Sequence, residues 1–109
     1  MPKCYLVGKL TLLDRSWIAD YVAVVTKMVE RRGGRFLART NNAQWLEQSG
    51  EVPHVVVLIE WASKEAALAF YHSDEYRPYL QQRLQGARNE FVLVPAEDVT
   101  AQAQMEPSA

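Results

Sequence analysis

The sequence has few of the residues that build metal, redox and disulfide sites. It contains one cysteine, Cys4, and two histidines, His54 and His72, in 109 residues. A single cysteine cannot form an intramolecular disulfide, and two distant histidines do not have the close spacing of a metal-binding motif. We therefore expect no metal and no cofactor. The scarcity of cysteine favours a reducing compartment, and we expect a cytoplasmic location.

Excess charge and long apolar runs are also lacking. Twelve basic and thirteen acidic residues leave a formal charge of −1, and the basic residues are dispersed along the chain. Nucleic acid is therefore not an expected partner. No apolar run approaches the roughly 20 residues that span a bilayer, and no apolar core of a signal peptide is visible, so we expect no membrane association. The 49% of hydrophobic residues is enough to form the core of one domain.

The periodicity of the apolar residues divides the chain into strands and helices. Alternation predicts strands, and apolar residues spaced three to four apart predict helices. The predicted strands span residues 4–13, 35–40, 54–61 and 91–95, and the predicted helices span 17–32, 64–71 and 78–85. The unbroken apolar run of the third strand predicts a central position in the sheet. Residues 1–95 are predicted to form a single domain, and residues 96–109 a flexible tail.

The order of these elements predicts an α+β fold, the ferredoxin-like βαββαβ sandwich. Such a fold has one sheet with its helices on one face, so the other face is bare. Several large apolar side chains in residues 55–61 would then be exposed to water. A second copy could cover this face by packing its own sheet against it. We therefore expect a homodimer, with a cavity between sheet and helices.

Several segments of the sequence resemble one known family, the domain of unknown function 1330. The similarity is carried by residues 33–39, 55–61, 63–76 and 91–94, together with Arg83. This resemblance covers roughly residues 3–95 and implies membership of the dimeric α+β barrel superfamily. That superfamily includes monooxygenases, isomerases, cyclases and binding proteins, so the resemblance implies a fold and a dimer but no particular reaction.

Two charged residues on neighbouring predicted strands are the first candidates for a site. Strict alternation in the second strand places Phe36 and Ala38 on one side, and Leu37 and Arg39 on the other. Glu60, in the third strand, could pair with Arg39 at the mouth of a pocket and fix a small polar ligand there. A purely structural ion pair is the alternative.

A second group of candidates follows the second predicted helix. His72 could relay a proton at the helix break, whereas Ser73 could bind a ligand or simply cap a helix. Tyr76 and Arg83 could offer a phenol and a cation to a carboxylate or an enol, or could serve only in packing. No Gly-x-Ser-x-Gly turn is present, which argues against a serine hydrolase.

These residues lead to two functional hypotheses. The first is a small-molecule-binding protein or a cofactor-independent enzyme of the isomerase, cyclase or monooxygenase type. It would take a small polar or carboxylate-bearing compound, with Glu60 and His72 as catalytic residues and with the following residues in substrate binding: Arg39, Ser73, Tyr76 and Arg83. The second is a non-catalytic dimeric module that regulates or scaffolds another protein, through the loop around Trp45 or the tail.

Overall fold

The computed structural model describes residues 2–48 and 50–102 and has an α+β architecture. The strands are β1 (Cys4–Leu12), β2 (Arg35–Thr40), β3 (Val55–Trp61) and β4 (Ala87–Pro95). The helices are α1 (Ile18–Arg31), α2 (Lys64–Tyr71) and α3 (Arg77–Gly86), and Val99–Gln102 forms a short 3-10 helix. None of the helices in the described ranges combines the length and the apolar character needed to cross a bilayer.

The four strands form one antiparallel sheet in the order β2-β3-β1-β4. Together with the element order, this confirms the predicted ferredoxin-like fold and the central position of β3. Alternation along β1 points Leu6 and Leu10 to one face, where both are buried. The core lies on this face, under the helices, and includes Val29 of α1 and Phe70 of α2. We call it the helix-covered face.

The opposite face of the sheet, the open face, carries an apolar row across all four strands. The pairing register places Ala38, Leu58, Val7 and Val92 side by side on it. Val92 is 56% exposed. Part of this face is covered by the loop between β2 and β3, because the ring of Trp45 lies 5.6 Å from the ammonium group of Lys9.

The second strand differs from the prediction because it contains a β-bulge. Phe36 pairs with Ile59, but the next paired residue is Ala38, so Leu37 is an extra residue. The bulge reverses the alternation beyond it. Arg39 therefore lies on the helix-covered face together with Phe36, and the predicted separation of these two residues is wrong.

The last strand begins at Ala87, earlier than predicted, and follows α3 without a loop. Gly86 ends α3 against the indole of Trp17, and a Cβ at Gly86 would lie 2.0 Å from the Trp17 Nε1 atom. The Gly86 carbonyl accepts hydrogen bonds from the backbone N–H groups of Leu13 and Asp14. This junction fixes the approach to α1. Of the predicted tail, residues 103–109 lie outside the described residues, and its flexibility stays a prediction.

Candidate functional site

A cavity of about 510 Å³ lies between α1 and the helix-covered face of the sheet. Its volume is in the usual range for sites that bind small organic molecules. Most of its lining is apolar, with contributions from Leu6, Val25, Phe36, Val57 and Phe91. Two arginines, Arg39 and Arg83, line it as well, whereas none of its described lining residues is acidic. The wall of the cavity is therefore mainly apolar, and its two arginines add two positive charges.

Arg83 is the most unusual group in the cavity, because it is a buried cation without a carboxylate partner. Its exposure is 1%, and no ion pair in the described part of the chain involves it. Its Nη1 atom donates to Asn89 Oδ1 at 2.6 Å, and its Nε atom donates to Tyr76 Oη at 3.3 Å. The guanidinium carbon lies 3.8 Å from the centre of the Phe91 ring. The charged guanidinium group of Arg83 is therefore surrounded by neutral hydrogen-bond partners and an aromatic ring.

Not all N–H groups of the Arg83 guanidinium have a partner among the described residues. Its third hydrogen bond runs from Nη2 to Tyr71 Oη over 3.5 Å, so three of its N–H groups have partners among the described residues. Arginine has five N–H donors arranged as a fork that fits a carboxylate. Burial disfavours the charge, but interactions with the hydroxyl groups of Tyr76 and Tyr21 raise the pKa of Arg83 above its usual value. The group remains a cation.

Two tyrosines continue this network into the cavity. The hydroxyl groups of Tyr21 and Tyr76 are 2.5 Å apart, and both residues line the cavity. Burial, followed by the neighbouring Tyr76, raises the pKa of Tyr21 far above the usual value for a phenol. Tyr21 is therefore protonated at neutral pH. Because Arg83 only donates, Tyr76 Oη accepts from it, and one phenol proton is shared between the two tyrosines. The other phenol proton can be donated to a ligand.

Arg39 lies at the other side of the cavity. Its Nη1 atom donates to Thr26 Oγ1 of α1 at 2.6 Å, and its guanidinium carbon lies 3.8 Å from the centre of the Phe36 ring. The bulge at Leu37 places it there. Unlike Arg83, it is an exposed residue.

The predicted pair of Glu60 and Arg39 is not formed. Glu60 lies on the open face, since it pairs directly with Arg35 of β2 and Tyr5 of β1. Its carboxylate oxygens are 3.5 Å from Arg35 Nη2 and 3.6 Å from Lys3 Nζ. The sheet separates it from the cavity, so the structure does not support the hypothesis of a catalytic Glu60.

His72 and Ser73 are also outside the cavity. His72 is exposed at the end of α2, where its ring packs edge-on against Tyr71 at 5.5 Å. The Ser73 hydroxyl donates to the Phe70 carbonyl at 2.7 Å and accepts from the Tyr76 N–H at 3.2 Å. The Ser73 hydroxyl is therefore bonded to backbone groups in the connection between α2 and α3. Of the six predicted site residues, the cavity brings together Arg39, Tyr76 and Arg83.

Sequence reasoning missed Tyr21 and Asn89 as site residues. Tyr21 lies in the first predicted helix, on the side that carries its apolar residues. A polar-tipped aromatic in such a stripe is a signal that could have identified it. Asn89 is the polar residue among the inward positions of β4, between Ala87 and Phe91. An asparagine in that pattern indicates a buried polar partner, here Arg83.

The fold is shared with solved structures of low sequence identity. A protein of unknown function from Rhodopseudomonas palustris is 15% identical, with a TM-score of 0.72 over 89% of this chain and 84% of the other. SnoaB, a cofactor-independent oxygenase from Streptomyces nogalater, is also 15% identical, with a TM-score of 0.64 over 90% and 96%. A dimeric ferredoxin-like protein from an uncultured marine organism is 20% identical, with a TM-score of 0.56 over 88% and 96%.

At these identities the solved structures show a common fold and nothing finer. The comparison with curated proteins gives no match. The sequence of residues 3–96, in contrast, matches a family described as a domain of unknown function, DUF1330. This match covers most of the chain and agrees with the resemblance seen in the sequence. The protein is therefore a member of the DUF1330 family.

Proposed function

We propose that the protein binds a small organic anion, such as a carboxylate or an enolate, in the cavity between α1 and the sheet. The observation that carries this proposal is the burial of Arg83 without a carboxylate partner. Buried charges in proteins are normally paired, because leaving water is costly for them. An anionic ligand would supply the missing charge, and the apolar wall would hold its carbon skeleton.

The tyrosines give the same site a means of acid–base chemistry. The guanidinium group of Arg83 can stabilise an enolate, and the phenol proton that Tyr21 and Tyr76 leave unshared can be transferred to it or hydrogen-bonded to it. This chemistry suits a cofactor-independent enzyme of the isomerase, cyclase or monooxygenase type. The similarity to SnoaB, a cofactor-independent oxygenase, is consistent with that class.

A homodimer is the second part of the proposal. The apolar row on the open face would be solvated in a single protomer, and a second sheet packed against it would remove it from water. The dimeric ferredoxin-like protein shows that this fold occurs as a dimer. A cytoplasmic location remains a prediction from the single cysteine.

Binding can be tested with 2-naphthoate, which joins a flat apolar body to one carboxylate. We expect 2-naphthoate to raise the melting temperature of the wild-type protein. Arg83→Met should abolish the shift, and Arg83→Lys, which keeps the charge without the fork, should retain part of it. The matched control is Arg77→Ala, because Arg77 is exposed and pairs with Asp74 outside the cavity.

The outcome is decisive once circular dichroism shows that the variants fold. An equal shift in wild type and Arg83→Met would contradict the proposal. If Arg83→Met does not fold, Tyr76→Phe replaces it, since it removes the hydroxyl group that contacts Arg83 and Tyr21. Unaltered binding of 2-naphthoate by Tyr76→Phe would then count against the site.

Proton transfer needs its own experiment. Phenylpyruvate carries a carboxylate and an enolisable methylene group, and its exchange in D₂O can be followed by NMR. We expect the wild-type protein to accelerate exchange above the buffer rate, and Tyr76→Phe to reduce the acceleration. If the protein binds phenylpyruvate without accelerating its exchange, the proposed catalysis is refuted and the proposed binding function stands.

A further inference from the structure

Arg39 and the aromatic residue under Arg83, Phe91, lie on one row of the sheet. Arg39 pairs with Val57, Val57 with Gly8, and Gly8 with Phe91, so these four residues cross the sheet in line. Arg83 is packed on the ring of Phe91, and this ring lies over Gly8 of β1. With strands about 4.8 Å apart, the row spans about 14 Å from β2 to β4. The two cations thus occupy opposite sides of the cavity.

Each guanidinium group rests on an aromatic ring at the same distance. Arg39 lies 3.8 Å from the centre of the Phe36 ring, and Arg83 lies 3.8 Å from the centre of the Phe91 ring. Stacking on a ring holds a guanidinium flat and leaves its edge free to donate. Between the two sites the row contains only Val57 and Gly8, which offer no polar side chain.

From this arrangement we infer that the ligand has two ends: an elongated apolar body with an anionic group for Arg83 and a second hydrogen-bond acceptor for Arg39. This inference rests on the proposed function and narrows its substrate class. The two acceptor groups would form charge-assisted hydrogen bonds with the two guanidinium groups. A flat body of one or two fused rings can carry both groups at separate positions.

The second end can be tested with two matched probes, 2-naphthoate and 2,6-naphthalenedicarboxylate, titrated calorimetrically. They share one ring system and differ only in the second carboxylate. We expect wild type to bind the dicarboxylate with about tenfold higher affinity than 2-naphthoate. An ion pair with the exposed Arg39 accounts for about fivefold of this ratio. The remaining factor of about two arises because a symmetric ligand can bind in two orientations. Arg39→Ala should lower the preference to about twofold, whereas Arg77→Ala should leave it unchanged.

The outcomes separate this inference from the proposed function. If both probes bind through Arg83 but Arg39→Ala leaves their affinity ratio unaltered, the second end is refuted and the anion site stands. If wild type prefers 2-naphthoate, the two-ended ligand is refuted as well. If Arg83→Met binds both probes like wild type, the anion site itself is refuted. A tenfold preference for the dicarboxylate that depends on Arg39 supports both the two-ended ligand and the anion site.

Discussion

A charged residue on the open face should dissociate the proposed homodimer. Val92 is suited to this test because it is 56% exposed in the protomer and belongs to the apolar row with Val7 and Leu58. Replacing it by glutamate leaves the protomer core untouched. In a dimer that buries the open face, however, the new carboxylate would lose its water without gaining a partner.

The size of the effect follows from burial and symmetry. The lost apolar burial at Val92 is worth about 1 kcal/mol, and an unpaired carboxylate at the interface costs about 2 kcal/mol or more. A two-fold dimer contains the substitution twice. The total of about 6 kcal/mol corresponds to roughly a 10⁴-fold weaker dimer. Such a loss converts a dimer of nanomolar affinity into a monomer at micromolar concentration.

Sedimentation velocity at micromolar concentration measures this directly. Wild type should sediment as a species of twice the 12.4 kDa of the chain, and Val92→Glu as a single chain. The control is Leu84→Glu, because Leu84 is 51% exposed on α3, away from the open face; this variant should remain dimeric. A monomeric wild type, or a Val92→Glu protein that stays dimeric while folded, would refute the reasoning.

Two further predictions concern stability. Gly86→Ala should lower the free energy of unfolding by about 1–3 kcal/mol, because its Cβ would overlap the Trp17 indole. Urea titration measures this loss, with Gln85→Ala as the adjacent control. A Gly86→Ala protein as stable as wild type would refute the close packing. Glu75 accepts hydrogen bonds from Arg32 and Arg31 at the end of α1, and these bonds lower its pKa. The stabilisation by Glu75 is therefore present at neutral pH and lost as the pH falls below the usual glutamate value of 4.5. The melting temperatures of wild type and Glu75→Gln should differ at pH 7 and converge in acid; a difference independent of pH would contradict this.

The sequence was sufficient for the fold because each element has its own pattern. Alternation in β1 and the helical spacing around Val25 and Met28 are local signals, and burial confirms both. The central position of β3 also follows from composition, since an uninterrupted apolar run is typical of a strand in the middle of a sheet. Local patterns and global packing agree in these elements.

The site was predicted only in part because its geometry depends on contacts between distant elements. A bulge in β2 determines which face of the sheet carries Arg39. The bulged residue is a leucine, a residue type that does not indicate a bulge. Alternation puts Glu60 on the same face as Leu58, but in a strand that is apolar on both sides it does not show which face the helices cover. The isolation of Arg83 from carboxylates is visible only when every neighbour is placed.

The bulge at Leu37 also determines which changes of length this strand tolerates. Removing Leu37 would leave a regular ladder with all remaining β2 side chains on their present sides. Removing Ala38 instead would leave the same regular ladder, with Leu37 opposite Leu58 and Arg39 still opposite Val57 on the helix-covered face. The bulge therefore holds one spare residue, and the strand can lose either Leu37 or Ala38 while Arg39 keeps its side of the sheet.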